Sequence, residues 1–280
     1  MTVQCAELVV HSSNRTLTPE NKTSVNDYVW SIGKTLKNVH SIEVLYAEIP
    51  NSYYNIYEGA NTFQIVVAGV ARTMTIPPGN YSDQTIATAM NTALAAVPIS
   101  ITSFTQYTNM GALFEFAVDD AKNQLMMRDK VTTTALAGGC AIVASTWPYA
   151  LGWLEDFTFT YLMTNTIRYA GGILRLAAEP CIYLSIKELG TRGSRYTFGS
   201  NSLSSVHIDA DHVLTRFQTS GSVNYMNFFN NELSMHERHF DPNPPLHLQQ
   251  LTIQFLRSDG TLIDFNGFDH SMHMRVIYNE

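Results

Sequence analysis

A chain of 280 residues is long enough for one large domain or two small ones around a well-buried core. Apolar residues make up 45% of it and charged residues only 15%, below the ~25% usual for globular proteins. That excludes a disordered chain, a coiled coil and a highly charged nucleic-acid binder, and a formal net charge of −7 gives no general attraction to phosphates.

The first 25 residues are polar and turn-rich, and they read as an N-terminal arm that a neighbouring chain must order. They carry no basic stretch ahead of an apolar segment, so no secretory signal is expected. Residues 42–49 (IEVLYAEI) alternate in part and stop at Pro50-Asn51, as a strand does before a turn. Residues 62–68 and 70–76 flank Gly69 as the arms of a hairpin that runs into Pro77-Pro78-Gly79.

One helix follows. Ser82 is a good N-cap, Asp83 suits the first turn, and Ile86, Met90 and Leu94 repeat every fourth residue. Ala89 and Ala93 widen that apolar face and Pro98 ends it. Apolar strands are expected again near 112–118 and 123–128.

Towards the C-terminus, Leu251, Ile253 and Phe255 fall on one face of a strand and Thr252 and Gln254 on the other. Ser258-Asp259-Gly260 makes a turn, Leu262 to Phe265 returns as a strand, and Met272, Met274, Val276 and Tyr278 line the last one. Short strands separated by turns predict a mainly β protein, an antiparallel sandwich over 26–61 and 157–280. The hairpin, helix, hairpin unit over 62–156 is then an inserted α+β domain.

The best enzyme-like pattern is His207-Ile208-Asp209. Alternate strand residues share a face, so His207, Asp209 and the later His247 have the residue types of the metal triad of Fe(II) oxygenases, and Arg257 suits a 2-oxo acid carboxylate. The triplet is short, however, and nine histidines offer many chance partners. Asp211 and His212 continue the polar run, so a solvated strand face accounts for the same residues more simply.

His236-Glu237-Arg238-His239 with Asp241 runs into Pro242, Pro244 and Pro245 and reads as a charged surface loop. Asp264, Asp269 and His270 lie in DFNGFDHS, where such side chains cap turns. Lys187, Arg192 and Arg195 read as solubilising charges, and Tyr53, Tyr54 and Tyr57 as packing residues without the interleaved basic residues of a base-stacking platform. There is no phosphate-binding glycine loop, no Gly-x-Ser-x-Gly elbow and no HExxH, so no catalytic residue, metal or cofactor is assigned. Cys5, Cys140 and Cys181 are odd in number and widely spaced, as free thiols in a reducing compartment are. No apolar run reaches the ~18 residues of a membrane-spanning helix.

Taken in order, SSNR at 12–15, the DYVWSI strand, SIEVLYAEIPNSYYNI, NTFQI, IPPGNYS before the helix and LTIQFLRSDGTLIDFNGFDHSMHMRVIY form a pattern. It resembles the penton and minor capsid proteins of virophages, polinton-like viruses and related large double-stranded DNA viruses. The match is strongest at 12–96 and 248–278. The resemblance implies a single jelly roll of eight antiparallel strands in two sheets, with the inserted domain pointing outward. It also implies a structural, non-enzymatic role: a homopentamer that closes each icosahedral capsid vertex among trimers of a major capsid protein. The chain would be assembled in the host cytoplasm or nucleus, without binding nucleic acid, and the arm would reach beneath a neighbouring capsomer. Two other readings remain open here: the Fe(II) oxygenase built on His207, Asp209 and His247, and a host-surface or glycan-binding module formed by the inserted domain.

Overall fold

The structure is a computed structural model that describes residues 2–16, 25–99, 107–131, 134–144, 147–162, 165–176, 181–192, 194–199, 207–219, 226–230, 237–240 and 244–280. The side chains of 134–138, 149, 161, 191–199, 207–211, 230 and 237 lie outside that description.

The chain begins with β1 (Val3–His11), β2 (Asp27–Leu36) and β3 (Val39–Pro50). Next come β4 (Thr62–Val67), β5 (Val70–Thr75), α1 (Asp83–Ala96), β6 (Phe114–Asp119) and β7 (Gln124–Asp129). β8 (Thr134–Ile142), β9 (Phe157–Leu162), β10 (Ile167–Tyr169), β11 (Cys181–Ile186) and β12 (Ser194–Gly199) follow. The last strands are β13 (His207–Gln218), β14 (Met226–Asn230), β15 (Glu237–His239), β16 (Leu248–Leu256) and β17 (Ser271–Asn279). They divide into two compact units, one of residues 1–53, 178–200 and 206–280, the other of residues 54–177.

The first unit is a sandwich of two antiparallel sheets. One is ordered β1-β17-β3-β14, with β15 also on β3, and the other β12-β13-β11-β16-β2. Counting β1, β2, β3, β11, β13, β14, β16 and β17 as successive strands, the sheets read 1-8-3-6 and 5-4-7-2, with β12 as an added edge. That is the strand order of a jelly roll. The period-two pattern places its residues as expected: Met272, Met274, Val276 and Tyr278 of β17 are buried, as are Leu251, Ile253 and Phe255 of β16. Ile42, Val44 and Ile49 of β3 complete the same core.

The second unit joins the sheets β5-β4-β8-β9 and β10-β7-β6 to α1. Ser82 caps α1 through a reciprocal pair with Thr85, and Ile86, Met90, Ala93 and Leu94 face an aromatic core of Phe63, Phe116, Trp147 and Trp153. The β4–β5 hairpin turns at Ala68 and Gly69, both at positive φ (53° and 76°), as a two-residue turn that matches the strand twist requires.

Three expectations need correction. The expected arm is in part a strand: β1 pairs along its whole length with β17, from Val3 opposite Asn279 to His11 opposite Ser271. Only Leu8 and Val10 of β1 are buried, because it is an edge strand with one covered face, and that is why its composition looks polar. Leu262 to Phe265 makes a single bridge, Leu262 to Leu256, and no strand. Its apolar residues plug the core instead, with Ile263 and Phe265 fully buried.

Finally, the inserted unit spans 54–177 where 62–156 was expected. Ile56 bridges Gly79, β9 pairs with β8 and β10 pairs with β7, so both flanks hydrogen-bond within the insertion.

Candidate functional site

The outward face of the β1-β17-β3-β14 sheet carries large apolar side chains in the open. Val3 is 68% exposed, Val9 67% and Phe228 64%, and Tyr46 and Met226 join them. The register explains the grouping. His273 of β17 lies opposite both Val9 and Tyr46, and Glu48 lies opposite Ser271 and Phe228. The Tyr46 and Phe228 rings stand 6.4 Å apart, and Glu48 ties the row together by accepting from Tyr46 Oη (3.1 Å) and Ser271 Oγ (3.0 Å).

A charged band crosses the same face, where Arg275 reaches Glu43 (3.3 Å) and Glu7 (4.0 Å) and His273 lies 3.3 Å from Glu7. Four strands spaced ~4.8 Å and nine residues rising ~3.3 Å each make a face of roughly 570 Å². A standard interface takes ~800 Å² from each partner, so this face is of the right order for one. Its hydroxyls, Ser271 and Tyr46, share the single carboxylate of Glu48. Its chemistry is that of recognition: apolar area to be covered, with a charged band to fix orientation.

Behind this sheet lies a buried polar cluster. Ser12 follows β1 in a short 3-10 turn, where its amide donates to the His270 carbonyl (3.0 Å) and its Oγ accepts from the His270 amide (3.0 Å). That Oγ donates to Asp269 Oδ1 at 2.5 Å, and Arg15 adds an ion pair to Asp269 (3.8 Å) and a hydrogen bond to the Ser12 carbonyl (2.9 Å). His270 Nε2 meets Tyr28 Oη of β2 at 2.8 Å, its Nδ1 is buried with no hydrogen-bond partner, and the Phe255 and Phe265 rings stand 4.6 and 5.6 Å away.

Burial drives the His270 pKa down to about 3, helped by Arg15 and His11 and opposed by Asp269, and burial pushes the Tyr28 phenol far up. Serine, histidine and aspartate are all present, but Ser12 Oγ bonds Asp269 while the imidazole bonds Tyr28. This is a structural knot and not a nucleophilic triad.

Of the three sequence-derived metal candidates, His247 alone has a described side chain. His207 and Asp209 lie in β13, paired with Gly199 and Thr197, and their side chains are outside the described residues. His247 is exposed just before β16, and its Nδ1 accepts from the Asn38 amide at 3.1 Å. Arg257 is buried, with its guanidinium 5.7 Å from the centre of the Tyr53 ring. Among the described residues no three His, Cys, Asp or Glu side chains gather as a metal site would require.

Glu237-Arg238-His239 form the short strand β15 on β3 where a loop was expected, and His236 and Asp241 lie outside the described residues. Asp264 caps a turn by accepting from the Asn266 amide (2.8 Å), while Asp269 and His270 belong to the buried knot. Sequence reasoning missed that knot and the Tyr46–Phe228 row. The alternation in VQCAELVVH was the available signal for the strand that leads into the knot.

The sequence pattern of one family, described as "Family of unknown function (DUF5901)", matches residues 2–190. No curated protein matches the sequence. Among solved structures, the crystal structure of the mavirus penton protein is similar over 99% of both chains, with a TM-score of 0.47 and 10% sequence identity. No helix among the described residues is long and apolar enough to cross a membrane.

Proposed function

The chain belongs to that family of unknown function, and we propose that it is a structural virion protein of penton type, five copies of which close each vertex of an icosahedral double-stranded DNA virus capsid. The observation that carries the reading is topological. A jelly roll with sheet orders 1-8-3-6 and 5-4-7-2 carries a separately cored unit between its third and fourth strands. The ordered segments that resemble penton proteins fall on structural positions of this frame, SSNR and FDHS on the buried knot and LTIQFL on β16.

In this role the work is geometric. A five-fold ring is a closed heterologous assembly in which each subunit presents two different surfaces. The exposed row of Val9, Tyr46 and Phe228 supplies apolar area for one of them, and trimers of a major capsid protein surround the ring.

The test is the mass of the purified chain by light scattering across concentrations, with its iron content. The expected result is a metal-free species of five times the 31.3 kDa chain. A monomer or dimer with one iron per chain, lost on His207→Ala, overturns the reading in favour of the oxygenase.

A further inference from the structure

We propose that His270 is an acid-sensitive latch, which holds the N-terminal segment of residues 3–16 on the sandwich at neutral pH and releases it as the medium acidifies. The inference stands on the cluster alone, whether or not the chain closes a capsid vertex.

The contacts that the described residues make with 12–16 converge mostly on Asp269 and His270. They are the Ser12 amide to the His270 carbonyl, the His270 amide to Ser12 Oγ, the Ser12–Asp269 bond, the Arg15–Asp269 ion pair, and a bridge from Thr16 to Val29. Ahead of them β1 is the edge strand of its sheet among the described residues, paired there with β17. Such an edge is the part of a sheet that opens most cheaply.

The imidazole cannot take a second proton where it sits. Tyr28 faces it from β2, Phe255 from β16 and Phe265 from the turn before β17. Among the described residues, Asp269 favours a charged ring there, and His11 and Arg15 disfavour one. Nδ1 has no hydrogen-bond partner among the described residues, so an imidazolium would bury an unpaired N–H near the Arg15 guanidinium. In the released state water solvates the ring and its ordinary affinity for a proton returns.

The direction follows from the two states. The latched ring protonates only near pH 3, whereas a solvated histidine does so near 6.5. The stability the neutral ring contributes is therefore complete above ~6.5 and is lost as pH falls from there toward 3. Between pH 7 and pH 5 the opening equilibrium should shift toward release by about 25-fold. Free carboxylates titrate near 4, below that interval, but the segment carries a second histidine, His11. His11 Nδ1 accepts from the Ser13 amide (3.2 Å) and contacts Ser13 Oγ (2.6 Å), so its share must be separated.

The experiment is amide hydrogen exchange on the full chain at pH 7, 6 and 5, corrected for intrinsic exchange rates. The opening constants of β1 amides should rise about 25-fold from pH 7 to 5, while those of β16 and α1 stay flat. His270→Gln, which keeps a polar partner for Tyr28 but no titrating ring, should abolish the rise. His11→Asn, which keeps an acceptor for Ser13, should retain it.

A flat β1 response in the natural chain overturns the latch, and so does an equal rise in His270→Gln. If His270→Gln does not fold, the His270 ring proton is followed by NMR in the natural chain. Protonation of the ring above pH 6 with β1 still protected overturns the proposal. A ring that stays neutral to pH 5 while β1 opens upholds it.

Discussion

The sandwich and the inserted unit each bury a polar group among aromatic rings, and they do so in opposite charge states. In the inserted unit, fully buried Asp129 meets Arg168 through both carboxylate oxygens, and the guanidinium lies 3.9 Å from the centre of the Phe159 ring. In the sandwich, His270 lies between Phe255 and Phe265 as a neutral ring. A buried charge is tolerable only when paired and hydrogen-bonded, and a buried neutral ring needs only its one partner, Tyr28. The first arrangement is therefore broken by removing a partner, the second by adding a proton.

The largest effect should come from breaking the ionic arrangement. Asp129→Ala strands Arg168 in an apolar site, where losing one partner of a buried pair costs about 3–5 kcal/mol. Urea unfolding, monitored by the fluorescence of Trp147 and Trp153, measures that loss. Replacing both residues together, Asp129→Leu with Arg168→Met, should recover most of it, because the desolvation penalty disappears with the charges. The Cys140 thiol supplies a second readout. Burial pushes it up to about 12, with Asp129 adding to the rise and Arg168 opposing it, so loss of the aspartate alone should bring its titration down.

The neutral arrangement should yield less to substitution. Tyr28→Phe leaves His270 Nε2 buried without its 2.8 Å partner, a loss of about 1–3 kcal/mol by the cost of an unsatisfied buried polar group. Urea unfolding at pH 7 checks it. Equal losses for Tyr28→Phe and Asp129→Ala would erase the distinction drawn between the two regions.

The two regions also differ in how much of them was legible in the sequence. α1, β16 and β17 were readable because each has one buried and one wetter face, and Ile86-Met90-Leu94 or Met272-Met274-Val276 repeats at the period of its element. β1 was not, since an edge strand buries only Leu8 and Val10 and its polar residues resemble those of a loose terminus. Leu262 to Phe265 alternates like a strand, yet the Ile263 amide bonds back to Phe255 and the segment closes the end of β16 instead of adding to the sheet.

His270 looked like a turn residue because the partners that bury it come from far along the chain. Ser12 is 258 positions away and Tyr28 is 242. Local pattern carries burial only when the covering residues repeat with the element's own period. A knot between the two ends of a chain has no period to read.

The smallest expected effect on stability is the most informative about function. Phe228 is 64% exposed on β14, so Phe228→Ser should change folding stability by no more than about 0.5 kcal/mol. If the outward face is covered by a neighbouring copy, the same change removes an aromatic contact worth about 2 kcal/mol or more at each junction of the ring. Since 1.4 kcal/mol is tenfold in an equilibrium constant, each junction should then weaken by more than tenfold. Light scattering should find the variant as a folded monomer at concentrations where the natural chain assembles. A variant that stays pentameric but fails to enter capsids assigns the face to a different capsid protein. A variant that assembles and enters capsids as the natural chain does removes the face from assembly altogether. Tyr28→Phe, interior and with no surface changed, supplies the contrast: it should lower stability and leave the mass of the folded assembly as it was. Only the exposed aromatic separates assembling from folding, because its described ring contact within the chain is with Tyr46, itself on the outward face.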